Sequence, residues 1–497
     1  MATSLPLELL FEIATLLRID GASLIPCAYV CRYWQAALEP LIYANLAVYS
    51  DSYHKEEGQR GISLTHFQKL TSGSRSIRRN WIRKLEYDII IPCKIFDWTT
   101  SENSKYSADN QLRQANDFAF QTAMFDLFQT LHSWSQHCRL TLHLGLRGSQ
   151  HIRWPRMEPD TLPCPTASAA LSFDYRGRRH IPIPPYRARF INNLSELYLA
   201  HVQCIDKLSF LNQNFDRNRH HQIWTGTVQT IIQHCPTITE LELDLNEWVR
   251  PDYLQYIQRR RASLASLLGV IPDSLRVLHY NGSEDGPWKH SLPGLNVIPS
   301  GIDSLAINLR NLSVHLRELK LARTTLPFDF LCPLDGKGQP IIGSLHWPYL
   351  KTLEIQDVPP WLPCGQWTSN HTVEYRAKIE NDNWNDRIHD AERRWNGTSV
   401  MNDEQFHRLL ISLGYATQRM PCLKRMTFRM ECYCRFSLHL HNHSNASTLE
   451  WQSRAGYQPD SRVAKAWKFD LDDLRIDSSP LGICSVILPR WPPDEPI

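Results

Sequence analysis

The sequence predicts an α/β fold: a short three-helix unit at residues 1–47, then an irregular solenoid of alternating strands and helices over 48–497. Three observations carry this expectation. Two strongly apolar stretches open the chain. A spacing of apolar-x-x-apolar-x-apolar recurs along the remainder. Amphipathic stripes of helical period lie between its copies.

The opening MATSLPLELLFEIATLL has the marks of a helix. Pro6 suits a first turn, where its missing N–H costs nothing, and Glu8 faces the positive end of the dipole. Leu9, Ile13 and Leu16 fall on one stripe, while Leu10, Phe11, Ala14 and Leu17 extend the apolar surface most of the way round. Arg18, Asp20 and Gly21 stop this helix. Ser23 is expected to cap a second, running through Leu24, Cys27, Ala28 and Cys31, and a third carries Trp34, Ala37, Leu38, Pro40, Leu41 and Tyr43. Three short helices cannot enclose that much apolar surface, so another surface must cover it. A signal peptide fits poorly, because no basic residue precedes the apolar run and Glu8 and Glu12 interrupt it. A membrane span is not expected either, since the run is too short and broken by charge.

Leu5-Pro6-x-Glu8-Leu9-Leu10-x-x-Ile13, Val30-Cys31-Arg32-x-Trp34 and Pro40-Leu41-x-Tyr43 together resemble an F-box, and more narrowly that of the fungal F-box proteins. The resemblance implies a module that docks on a Skp-family adaptor and so joins a cullin–RING ubiquitin ligase. By it, Leu5, Pro6, Leu9, Ile13, Val30, Cys31 and Trp34 are adaptor-facing or adaptor-supporting, with Ile13 and Trp34 as central anchors. It implies no covalent chemistry and no cofactor for this chain: such a subunit holds a protein target near the ubiquitin-charged enzyme.

The repeat is read from Ile82-Arg-Lys-Leu85-Glu-Tyr87, Leu194-Ser-Glu-Leu197-Tyr-Leu199, Ile238-Thr-Glu-Leu241-Glu-Leu243 and Leu275-Arg-Val-Leu278-His-Tyr280. It continues in Leu316-Arg-Glu-Leu319-Lys-Leu321, Leu350-Lys-Thr-Leu353-Glu-Ile355 and Leu423-Lys-Arg-Met426-Thr-Phe428. In each, the last two apolar side chains point inward from a short strand and the residue between them points to solvent. Helical stripes are expected at Phe120–Trp134, Leu254–Leu268 and Phe406–Leu413, so the strands should run parallel with helical crossovers. This resembles an irregular leucine-rich repeat with long periods. The asparagine expected after each strand occurs only at Asn246, which argues against regular horseshoe geometry. Residues 148–190, rich in Pro and Arg, and 357–400, with Trp361, Trp367, Trp384 and Trp395 among charges, are expected as long loops. A last apolar strand is expected in the tail.

Composition limits the function. Lys and Arg total 54 against 51 Asp and Glu, a net charge of +3, which argues against a dedicated nucleic-acid binder. Arg259-Arg260-Arg261 is the one dense basic run, expected on a solvated helix face. Thirteen cysteines without close pairing suit reduced thiols, hence cytosol or nucleus. There is no nucleophile elbow and no phosphate-binding loop. Cys432-x-Cys434, His439, His441 and His443 form the one metal-like cluster, but alternation also reads that stretch as a half-buried strand. The leading expectation is a substrate-recognition subunit of an SCF-type ligase with an unknown protein target. An F-box scaffold outside a ligase and a metal-dependent hydrolase centred on Cys432–His443 are the alternatives.

Overall fold

A computed structural model of the chain describes residues 5–20, 23–50, 61–92, 111–148, 172–173, 179–180, 187–191, 199–210, 222–245, 254–282, 295–341, 343, 345–359, 361–366, 369–371, 399–401, 403–430, 436–442, 446–453, 457–476, 483–488 and 491–493. The fold is α/β, and its strands and helices divide between two compact units. One unit comprises Met1–Trp154 with Pro185–Glu242, the other Pro155–Pro184 with Leu243–Ile497.

In the first unit the strands lie in the order Ile62–Ser63, Asn45–Tyr49, Lys84–Ile91, Leu140–Gly148 and Ile205–Phe210, each parallel to the next. Parallel neighbours need a crossover. Helices Leu64–Thr71 and Gln111–His132 supply two of them. The second helix packs Phe120, Met124, Leu127, Phe128 and Leu131 inward, and the Tyr87 hydroxyl donates to the Ala123 carbonyl at 3.0 Å. In the sheet Leu46, Leu85, Leu142 and Leu208 are Cα partners in one row, and Val48, Tyr87, Leu144 and Phe210 in the next.

The same construction recurs in the second unit. Val277–Asn281, Glu318–Ala322, Thr352–Val358 and Arg425–Met430 pair parallel. Leu278, Leu319, Leu353 and Met426 share one buried row, and Tyr280, Leu321, Ile355 and Phe428 share the other, in which Tyr280 is half-buried. Helices Leu254–Leu268, Ser304–Ser313 and Asp403–Thr417 precede Val277–Asn281, Glu318–Ala322 and Arg425–Met430, as the helical stripes at 254–268 and 406–413 predict, but the link from Glu318–Ala322 to Thr352–Val358 has no helix among its described residues. The residues between the inward pairs form a half-buried polar face laced by charge. His279 and Lys320 each reach Glu318 at 2.8 Å, and Lys320 and Arg425 reach Glu354 at 3.9 and 2.7 Å.

Several expectations need correction. Of the expected strand Leu194–Leu199 only Leu199 is placed, buried and outside any strand; Leu194, Leu197 and Tyr198 lie outside the described residues. The strand beside Leu140–Gly148 is Ile205–Phe210, and Ile205-x-x-Leu208-x-Phe210 carries the same apolar spacing. The parallel order ends after Arg425–Met430. Ser437–Asn442, Ser447–Gln452, Ile483–Leu488 and Arg475–Ile476, in that spatial order, continue the sheet with antiparallel pairing. The first two links are too short for a crossover, which needs a dozen or more residues, and form hairpins instead. The solvated helix face fails at Arg261: its guanidinium is almost buried and forks onto Asp303, which also caps helix Ser304–Ser313 through the Ala306 N–H. Trp361 is buried, while Trp367, Trp384 and Trp395 lie outside the described residues. Asn246 lies outside them too.

The inward rows and the polar face should respond differently to substitution. Leu319→Ala should destabilise the second unit by about 2–5 kcal/mol in denaturant unfolding, whereas Lys320→Ala should cost under about 1 kcal/mol. On the polar face of the first unit, burial, then Lys84, holds the His143 imidazole below its ordinary 6.5. The unfolded chain then binds the extra proton more readily, so stability is full above pH 6.5 and falls as pH drops below it. Unfolding curves across that window should show the decline, and His143→Gln should flatten it.

Candidate docking site

Helix α1 spans Leu7–Ile19 with Pro6 at its N-cap, Glu8 in the first turn and Arg18 in the last. Helix α2 is a single turn, Ile25–Ala28, and α3 runs Arg32–Tyr43 through Pro40. Ser23 does not cap α2: Leu24 holds that place without a side-chain bond, and Cys31 begins α3 rather than ending α2. The internal core of the module is small. Ala14, Leu24 and Leu38 are buried, with Leu17, Cys27, Ala28, Trp34, Leu41 and Ile42 packed against them.

Most of the apolar surface therefore stays outside. On the helical wheel Leu9, Ile13 and Leu16 lie to one side of the buried Leu10 and Ala14, with Leu7 and Phe11 to the other and Glu8 and Glu12 opposite. All five flanking residues are exposed, Leu16 at 62%. The Tyr33 hydroxyl donates to the Leu5 carbonyl at 3.0 Å, which brings the start of α1 to the start of α3. Beside it Tyr29 is 85% exposed and Val30 62%. An aliphatic side chain left in water forgoes about 1.5–3 kcal/mol of burial, so a surface this apolar is suited to association.

Of the expected site residues, Leu5, Pro6, Leu9, Ile13 and Val30 are exposed and Cys31 is partly so. Trp34 is placed differently from an anchor: it packs on the internal cluster, and its Nε1–H is buried without a partner among the described residues. It supports the face that Leu9, Ile13 and Val30 present. Sequence reasoning missed Ile25 and Tyr29, which extend the exposed surface. No periodicity marks them, because they sit at the two ends of a one-turn helix, although an apolar residue next to a turn was a signal to weigh.

The module is fixed to the parallel sheet of the first unit. Asn45–Tyr49 begins directly after α3, inside the expected span of 1–47, and the Ala44 carbonyl accepts from the N–H groups of Arg83 and Lys84 at 2.9 Å each. Arg78 reaches Glu39 at 2.7 Å, both largely buried, and lies 4.7 Å over the Tyr43 ring. Burial lifts the Tyr43 phenol above its ordinary value, against the opposing pull of Arg78.

The metal-like cluster is only partly placed. Cys432, Cys434 and His443 lie outside the described residues; His439 and His441 sit on the polar face of Ser437–Asn442, whose Leu438 and Leu440 are buried, as is Phe436 just before it. Among the described residues no group of three or more His, Cys, Asp or Glu could hold a metal ion, and the nine described cysteines are free thiols. No helix among them is long and apolar enough to cross a membrane. Comparison with protein-family models, with curated proteins and with solved structures found no match.

Internal support and exposed face should separate in stability measurements. Trp34→Ala should loosen α1–α3 by roughly 3–5 kcal/mol, seen as faster amide hydrogen exchange there. Ile13→Asp, on the outer flank, should leave that exchange within about 0.5 kcal/mol of the parent.

Proposed function

We propose that α1–α3 act as an F-box that docks on a Skp-family adaptor, and that the chain is the substrate-recognition subunit of an SCF-type cullin–RING ubiquitin ligase. The exposed apolar flank Leu9, Ile13 and Leu16 on α1, with Tyr29 and Val30 before α3, is the observation that supports this reading most directly. Apolar side chains at the centre of a patch and charges at its edge suit a specific protein interface, of order 1,200–2,000 Å² in total. The chain itself performs no chemistry and uses no cofactor in this role. It holds a protein target, through the repeat-bearing region, near a ubiquitin-charged enzyme, and the resulting effective concentration supplies the rate gain. It works in the cytosol or nucleus, needs neither nucleic acid nor membrane, and keeps its thiols reduced.

Affinity purification from cells should recover both the adaptor and a cullin with the parent chain. Ile13→Asp places a charge in the centre of the apolar flank and should reduce that recovery by roughly tenfold or more, with folding intact. Recovery of adaptor without cullin would instead favour a scaffold outside a ligase. Full recovery with Ile13→Asp would remove the docking assignment.

A further inference from the structure

Strand Arg425–Met430 buries Met426, Phe428 and Met430 and turns Arg425, Thr427 and Arg429 to the polar face. Arg425 donates to Glu354 at 2.7 Å, and Arg429 donates twice to one oxygen of Asp357, at 2.7 and 3.2 Å. The carboxylates lie low and the guanidiniums ride above them: the side chains of Arg425 and Arg429 are 51% and 53% exposed, those of Glu354 and Asp357 16% and 26%. Among the described residues Nε and Nη1 of Arg425 and Nη1 of Arg429 have no partner. Asp357 projects from a bend that its neighbours impose. It has φ +52°, in the left-handed region that side chains rarely adopt, at the bulge where pairing shifts between Ile355 and Val358. The adjoining strands place His441 opposite Arg425, His439 opposite Thr427 and Ser437 opposite Arg429, and the one carboxylate beyond them is Glu450, opposite His439.

Such half-exposed pairs add little stability. What they do is fix two guanidiniums so that fewer rotamers are lost when each accepts a second anion. Four residues of strand separate the two by about 13 Å, too far for one small anion to bridge. An extended peptide rises by the same amount per residue, so acidic side chains four positions apart would meet both. We propose that this pair of arginines reads an extended acidic segment of the protein target, lying along strand Arg425–Met430 with acidic side chains at i and i+4. This rests on the reading of the chain as a substrate-recognition subunit, and it names the class of target.

The test uses the purified full chain and two labelled synthetic peptides of equal charge in fluorescence anisotropy. One carries two glutamates four residues apart among serine and threonine; the other carries them two apart. The first should bind at least fivefold more tightly and weaken as salt rises. The double variant Arg425→Gln/Arg429→Gln should lose that binding by tenfold or more, with its thermal unfolding unchanged. Equal binding of both peptides, undiminished binding by the variant, or no binding at all overturns the proposal. So does equal competition by a single-stranded oligonucleotide, which would mark a site for polyanions at large. Adaptor recovery measured on the same preparations keeps the two readings apart: it fails only if the docking assignment is wrong, and Arg425→Gln/Arg429→Gln should not change it.

Discussion

The structure depends on a register. Each repeat contributes two inward side chains, and the parallel ladder sets them opposite the two from the next repeat: Leu278 on Leu319 on Leu353 on Met426. No single strand of five residues has enough apolar surface to hold itself in place. Stacked in register, the rows become continuous, and the helices close over them. A slip of one residue would send every leucine to the polar face and every charge into the core, so the alternation specifies the pairing as well as the burial. The polar face is a by-product of the same rule. Once the inward positions are assigned, the remaining side chains come together, and opposite charges on neighbouring strands settle into pairs such as Lys320–Glu354 and Arg425–Glu354.

The opening module obeys a different balance. With Ala14, Leu24 and Leu38 as its buried cluster and Leu10 and Ala37 buried beside them, it has little interior of its own, and its place depends on the junction behind it. Ala44 is bonded to the start of the strand Lys84–Ile91, and the Glu39–Arg78 pair sits beside Tyr43 with most of its water removed. Removing one partner of such a pair leaves an uncompensated charge and costs several kcal/mol, whereas an exposed pair costs little. The exposed flank of α1 is thus carried on a firm base. That matters for the proposed role, since a recognition subunit that held its target loosely would lose the effective concentration on which it depends.

How much of this was legible in the sequence depends on which constraints are local. The inward pairs at Leu85 and Tyr87, Leu241 and Leu243, Leu319 and Leu321, Leu353 and Ile355, and Met426 and Phe428 were readable because a strand's period is a property of its own residues. The helical stripes were readable for the same reason. Ile205–Phe210 carries the same spacing as Leu194–Leu199, but its place in the sheet comes from pairing with Leu140–Gly148, far back along the chain. Arg261 looked like part of a solvated run until Asp303, far along the chain, supplied a buried partner. At the candidate site, the α1 residues were legible from periodicity, but the support given by Trp34 and the exposure of Tyr29 depend on how three helices meet.

The most direct test of the docking role is amide hydrogen exchange on the full chain with and without a purified Skp-family adaptor. Docking through the opening module predicts slowed exchange confined to α1, α2 and the start of α3, with the repeat strands unchanged. No complex, or protection that falls on the repeats and leaves residues 5–33 untouched, would contradict it.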